Sequence, residues 1–228
     1  MSGTSRVDEL RLGLEATRER VEHACQQAGR STDDVTVVVV TKTYPVSDVE
    51  ILQELGVTDV GENKDQEAGP KRAQMTHPGL RWHAVGQVQS NKAKSVAQWA
   101  DVVHSVDRVS LVQAFDRVVV PNPIQAFIQV SLDGDPARGG CLMTDLGAVA
   151  EQVARSSALS LVGVMAVAPL GVEPSRAFGD LLTISERLQG DFPQAAWISA
   201  GMTQDFEAAI AAGATHVRIG SAILGNRA

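Results

Sequence analysis

Within the stretch Val35–Pro45, VTVVVVTKTYP, a run that is almost wholly β-branched and apolar stops on Lys42. Such residues favour a strand fit for burial. A charge at the end of that strand costs free energy unless something pairs with it or takes its proton. An amine without its proton is a nucleophile that condenses with a carbonyl to give a Schiff base. Two later segments offer matching chemistry. Ser199–Thr203, SAGMT, and Arg218–Ser221, RIGS, are small turns built from glycine and hydroxyl residues. Backbone N–H groups in turns of this kind can hold a phosphate. The joint expectation is an aldehyde-bearing phosphate, with Lys42 at one end and Ser199, Gly201, Gly220 and Ser221 at the other. Thr203 has a second role open to it, as the cap of the next helix, with Asp205 and Glu207 in its first turn.

The elements that must position these residues alternate along the chain. Val7, Leu10, Leu14, Val21, Ala24 and Ala28 recur at three- and four-residue steps and predict a first helix, stopped by Gly29. After the valine strand, Ser47 and Glu50 form a candidate capping box for a helix over Ser47–Leu55. Further strands are expected to begin near Thr58, Arg81, Asp101, Ile124, Leu159, Ala196 and Thr215. Helices are expected near 62–75, 89–99, 107–118, 142–157, 174–189 and 203–212. Strand–helix alternation means parallel pairing with crossover helices. The expectation is one α/β domain over residues 1–228, a single (β/α)8 TIM barrel with an additional N-terminal helix. An open doubly wound sheet is the alternative, but no GxGxxG comes after the first strand. The segment Ser131–Cys141, SLDGDPARGGC, reads as a strand-to-helix loop rather than a domain boundary.

A barrel carries its chemistry at the C-terminal ends of its strands, and phosphate sites at the seventh and eighth. That is where the two small turns fall. Arg218 lies on the last strand and has two readings. One is an ion pair with a carboxylate across the barrel. The other is a hydrogen-bond partner for a heteroaromatic ring nitrogen, as in pyridoxal phosphate sites, which use Asp or Arg there. An arginine keeps its proton, so the ring nitrogen would stay unprotonated and the ring would draw electrons weakly. Asn63 can donate to a ring oxygen or cap a helix. His83, in RWHAVG, reads as a core histidine before it reads as a base. His23, His77, His104 and His216 form no HExxH or similar cluster, so no metal is assigned.

Composition limits the partners. The formal net charge of −7 opposes broad binding to nucleic acid or acidic membranes, which need an extended basic surface. No apolar run approaches the roughly 18 residues a membrane helix needs, and MSGTSRVDEL lacks a signal-peptide core. Cys25 and Cys141 show no metal-ligand spacing, which makes a reducing cytoplasmic setting the expectation.

Five segments together carry a resemblance: TKTYP, VGENKDQEA, RWHAVGQVQSNKAK, GVMAVAP and SAGMTQDFEAAIAAGATHVRIGSAILG. In this order, and from Val35 to Gly225, they resemble the pyridoxal phosphate homeostasis proteins of the YggS/PROSC type. The resemblance implies a barrel like the N-terminal domain of alanine racemase, with pyridoxal 5'-phosphate as a Schiff base on Lys42. It places phosphate contacts around Ser199, Gly220 and Ser221, Arg218 toward the pyridine nitrogen, and Asn63 and His83 near the ring. Lys64, Gln87 and Ala200 stand where the family often has Tyr, His and Met, and Leu224 where it has Phe. Thr203 and Ser221 exchange one hydroxyl residue for another, which keeps the donor. The function this resemblance implies is storage or delivery of the cofactor, with PLP-dependent apoenzymes as candidate partners, rather than turnover. No catalytic residue is assigned. A weakly active racemase and a Schiff-base aldolase acting on a sugar phosphate are the alternatives. Two-base racemisation is disfavoured because Tyr44, the one tyrosine, shares the strand end of Lys42 and the sequence holds no racemase-type β domain. The same missing domain favours a monomer.

Overall fold

The computed structural model describes residues 5–225. Eight parallel strands close into a barrel in chain order: β1 Thr36–Val40, β2 Asp59–Glu62, β3 Arg81–Ala84, β4 Val102–Val106, β5 Ile124–Gln129, β6 Leu159–Met165, β7 Trp197–Ser199 and β8 His216–Ile219. β1 pairs with both β2 and β8, which completes the ring. Strands buried on both faces need little alternation of polarity, and this is why the valine run of β1 is so uniformly apolar. The expected barrel with an extra N-terminal helix is what the chain forms.

Helix α1, Arg6–Gln27, starts at Ser5, whose hydroxyl accepts from the Asp8 N–H, and ends before Gly29 at φ 65°. It buries Leu10, Leu14, Val21 and Ala24 and packs against α8, Phe206–Ala211, and α9, Ser221–Leu224. Arg6 ties that end together, bonding Asp48 at 2.7 Å and the Leu224 carbonyl at 3.1 Å.

The other helices are α2 Val46–Glu54, α3 Asp65–Gln74, α4 Ala93–Val96, α5 Val109–Asp116, α6 Leu146–Ala154 and α7 Pro174–Asp191. Two local expectations fail. The Ser47/Glu50 capping box does not form, because α2 begins one residue earlier with Pro45 at the N-cap and no side-chain cap. The helix expected over 89–99 shrinks to a 3-10 turn, Ser90–Lys92, and the single turn of α4. There, burial of Val96, Trp99 and Ala100 holds a compact connection in place of a continuous helix.

Apolar side chains separate into two groups. Most lie between the barrel wall and the helices. A small second cluster of Val102, Phe127, Val162 and Met165, with Val167 and Trp197 against it, lies apart from them.

Candidate functional site

A cavity of about 1120 Å³ opens where the strands end. Lys42, Tyr44, Asn63, Thr203, Arg218, Gly220 and Ser221 are among the residues that line it. The period of two along a strand explains the selection. Val40 and Lys42 share a face, as do Arg218 and Gly220, and Val38 pairs with Arg218 in the ladder. Lys42 lies two residues beyond the end of β1 and is exposed, whereas the apolar strand before it suggested a site that would penalise a charge. The buried position is the one before it. Thr41 is fully buried, its hydroxyl donating to Glu62 Oε1 at 2.7 Å and its carbonyl accepting from Lys71 Nζ at 2.9 Å.

The turn that carries Lys42 is held at several points. Thr43 adopts φ 72°, a left-handed conformation that costs a β-branched residue roughly 1–2 kcal/mol. Its N–H donates to Glu67 Oε2 at 2.8 Å, and its hydroxyl bonds the Lys42 carbonyl. Tyr44 donates to the Gly225 carbonyl at 2.7 Å, with the Arg6 guanidinium over its ring. The first strand end is thus fastened to the last helix, beside the RIGS turn.

At that turn, Ser221 Oγ and Thr203 Oγ1 are 3.3 Å apart, so the two hydroxyls converge. Thr203 is not a helix cap. α8 begins only at Phe206, and Asp205, at the N-cap position, turns its carboxylate to accept from the Met202 N–H at 2.6 Å. Gly220 sits close to β1, where an added Cβ would lie 3.2 Å from the Val40 carbonyl oxygen.

Arg218 is buried, which pulls its guanidinium down to about 10 and leaves it cationic at neutral pH. Its Nη1 donates to Ser199 Oγ at 2.6 Å and its Nη2 to the Ala166 carbonyl at 3.2 Å. Among the described residues it forms no ion pair, so its fixed contacts are neutral acceptors.

Lys42, Asn63, Arg218, Gly220 and Ser221 thus meet on one cavity. Ser199 lies beneath Arg218, fully buried, and supports it. Gly201, at φ 88°, shapes the turn, since a Cβ there would come within 2.7 Å of Phe206 Cα and Ala209 Cβ. His83 is fully buried in the barrel, bonded to His104 and Asp59. Arg138 also lines the cavity, held by Asp133 at 2.9 Å and the Ala168 carbonyl at 2.6 Å. Nothing in SLDGDPARGGC marked that arginine apart from its place in a strand-to-helix loop.

The donor set combines an amine at the mouth, a buried guanidinium and two converging hydroxyls on the same cavity. It suits a planar, anionic carbonyl compound.

Comparison with known proteins gives the same direction. Residues 13–228 match the family described as alanine racemase, N-terminal domain. A pyridoxal phosphate homeostasis protein of Mycobacterium leprae (strain TN) is 41% identical over 240 residues, covering 96% of this chain and 93% of its own length. One from Corynebacterium glutamicum is 40% identical over 217 residues, covering 91% and 97%. PipY of Synechococcus elongatus PCC7942, a structure with PLP bound, superposes with a TM-score of 0.79 at 31% identity, covering 90% of this chain and 100% of PipY.

Proposed function

Because the chain belongs to the alanine racemase N-terminal domain family, among the pyridoxal phosphate homeostasis proteins, we propose that it binds pyridoxal 5'-phosphate on Lys42 and holds it for storage or delivery. The observation that carries this reading is the meeting of Lys42, Arg218 and the Thr203–Ser221 hydroxyl pair on one cavity. When bound, the cofactor supplies an aldehyde, the one group the amine of Lys42 needs for a reversible covalent bond. Thr203, Gly220 and Ser221 would hold the phosphate, with Asn63 beside the ring. Arg218 would meet the ring nitrogen as a donor and keep its proton, so the ring gains little power to stabilise a carbanion.

That electronic setting supports a holder more than a racemase. Tyr44 spends its hydroxyl on the Gly225 carbonyl, which leaves it poorly placed to act as a second base. We further propose that residues 1–228 act as one unit in the cytoplasm. The free thiols of Cys25 and Cys141 suit a reducing compartment. Among the described residues, no helix is long and apolar enough to cross a membrane. Apoenzymes that accept the cofactor would be its partners, with a monomer as the working form.

An absorbance spectrum tests the core of the proposal. The protein incubated with pyridoxal phosphate is expected to show a visible band that borohydride removes, with the reduced label on the Lys42 peptide. A preparation that stays colourless in excess ligand, or a label on another residue, ends the reading. A sugar-phosphate aldolase would be trapped by borohydride only with its substrate.

Gly86 gives a second test. A Cβ at that position would sit 2.4 Å from the Asn63 carbonyl oxygen and 2.9 Å from Asn63 Cα. Gly86→Ala is expected to displace Asn63 from the rim and cost about 1–3 kcal/mol by overpacking. Pyridoxal phosphate affinity, read by absorbance titration, should fall roughly tenfold, the equivalent of one polar contact.

A further inference from the structure

Below the cavity, the barrel interior departs from the branched aliphatic layers that fill most such barrels. Asp59, His83, His104, Ser199, His216 and Arg218 are all buried there. Four contacts join five of them in single file. Asp59 Oδ1 meets His83 Nε2 at 2.8 Å, and His83 Nδ1 meets His104 Nε2 at 2.8 Å. His104 Nδ1 meets Ser199 Oγ at 2.8 Å, and Ser199 Oγ accepts from Arg218 Nη1 at 2.6 Å. The file enters from β2, crosses β3, β4 and β7, and leaves on β8. Asp59 opens β2, whereas Asn63, just past the other end of that strand, lines the cavity. The file therefore runs from the end of the barrel opposite the site up to the site itself.

Its two ends decide where the protons lie. A guanidinium only donates and an ionised carboxylate only accepts. Burial pushes the Asp59 carboxyl up, but hydrogen bonds from His83 and Thr58 outweigh it and leave the group below its ordinary value. Burial also holds His83 and His104 below the ordinary histidine value, so each is neutral and carries one N–H. His83 must then present Nε2–H to the carboxylate, which leaves its Nδ1 bare. His104 must give Nε2–H to that bare nitrogen, and its own Nδ1 is left to accept from the Ser199 hydroxyl. The reverse order would set a bare His83 nitrogen against the Asp59 carboxylate, two acceptors 2.8 Å apart. With neutral rings, only one direction satisfies all four contacts. His216 packs beside the file with its Nδ1 on Thr215 and takes no part in it.

We propose that Asp59, His83, His104 and Ser199 form a one-way hydrogen-bond relay that positions Arg218, so that a carboxylate at the far end of the barrel sets the aim of the guanidinium. None of the four touches the ligand; they are positioning residues. Bonds in such a chain polarise one another, so loss of the terminal acceptor is felt along its length. The role of Arg218 toward a ring nitrogen rests on the proposed function, but the proton order of the relay does not.

The test therefore has two arms. In the ligand-free protein labelled with 15N-histidine, long-range proton–nitrogen NMR at pH 7 is expected to show His83 and His104 both neutral and both Nε2–H. An Nδ1–H form of either ring, or a cationic ring, overturns the relay. Asp59→Ala removes the last acceptor and is expected to mix the tautomers of His83 and His104. It should also weaken pyridoxal phosphate binding about tenfold, while Asp59→Asn, which keeps an acceptor oxygen, restores most of that loss. Wild-type tautomers and affinity in Asp59→Ala would sink the proposal. Should Asp59→Ala fail to fold, the wild-type tautomers decide. Should the wild-type protein bind no pyridoxal phosphate, the cofactor reading falls while the NMR arm still judges the relay.

Discussion

Lys42→Ala is expected to abolish the borohydride-stable attachment of pyridoxal phosphate and the visible band with it. Affinity for the ligand should drop at least about a hundredfold, the scale of a dominant contact. Little stability should be lost, because Lys42 is exposed and lies outside the β1 ladder. Substitutions at such sites stay within about 0.5 kcal/mol. Lys42→Arg separates charge from chemistry, since a guanidinium keeps the charge and does not release its proton. It should retain some binding and form no adduct. The neighbouring lysine offers no substitute: Lys71 Nζ is buried 2.6 Å from Glu62 Oε1, in an ion pair that holds it away from the cavity. A yellow Lys42→Ala protein whose colour yields to borohydride would show that the cofactor reading is wrong about its anchor. Circular dichroism and thermal unfolding of the same variant exclude misfolding as the cause of a negative result.

Lys42 and Arg218 were legible because each breaks an apolar strand pattern with a charge, and a barrel gathers such exceptions at one end. Period two told which face of the strand a residue takes. It did not tell how deep along the barrel axis that residue lies. Depth depends on register between strands, which no single segment records. Ser199 illustrates the difference. It belongs to the turn expected to grip a phosphate, yet its pairing with His216 sets it one layer down, beneath Arg218. His83 was read as a core histidine or as a group near the ring. It is fully buried, and what matters about it is its file with Asp59 and His104. Three polar residues on three strands become neighbours only through registers such as Asp59 with Arg81 and His83 with Val102.

Helix starts were the other loss. Ser47 and Thr203 both have good capping chemistry, and neither caps. At Ser47 the helix has already begun at Val46, with Pro45 at the N-cap. At Thr203 the chain delays its helix by three residues, which frees the hydroxyl to face Ser221. A hydroxyl withheld from its local role in this way is a stronger pointer to a ligand than a glycine-rich turn alone.

The largest stability effect is expected from Lys71→Ala. Glu62 is fully buried, and its Oε1 takes both the Lys71 ammonium at 2.6 Å and the Thr41 hydroxyl at 2.7 Å. Its Oε2 has no hydrogen-bond partner among the described residues. Removing Lys71 leaves a buried carboxylate without its countercharge, a change that costs about 3–5 kcal/mol at neutral pH. Burial already pushes the Glu62 carboxyl up despite the hydrogen bonds from Lys71 and Thr41, and loss of the lysine must raise it further. A carboxyl raised on folding contributes stability that is fully present below its unfolded value and is lost as pH rises through the folded one. The deficit of Lys71→Ala should therefore be largest at neutral pH and shrink toward acid, as Glu62 takes up a proton. Urea unfolding at neutral pH and again at mildly acidic pH reads the difference. Adding Glu62→Gln removes the buried charge and should recover most of the deficit at the higher pH. A deficit that is the same at both values would mean that lost packing, not the stranded charge, sets the cost. The consequence for the site is direct: Thr41 holds the end of β1 through this pair, and Lys42 is the next residue.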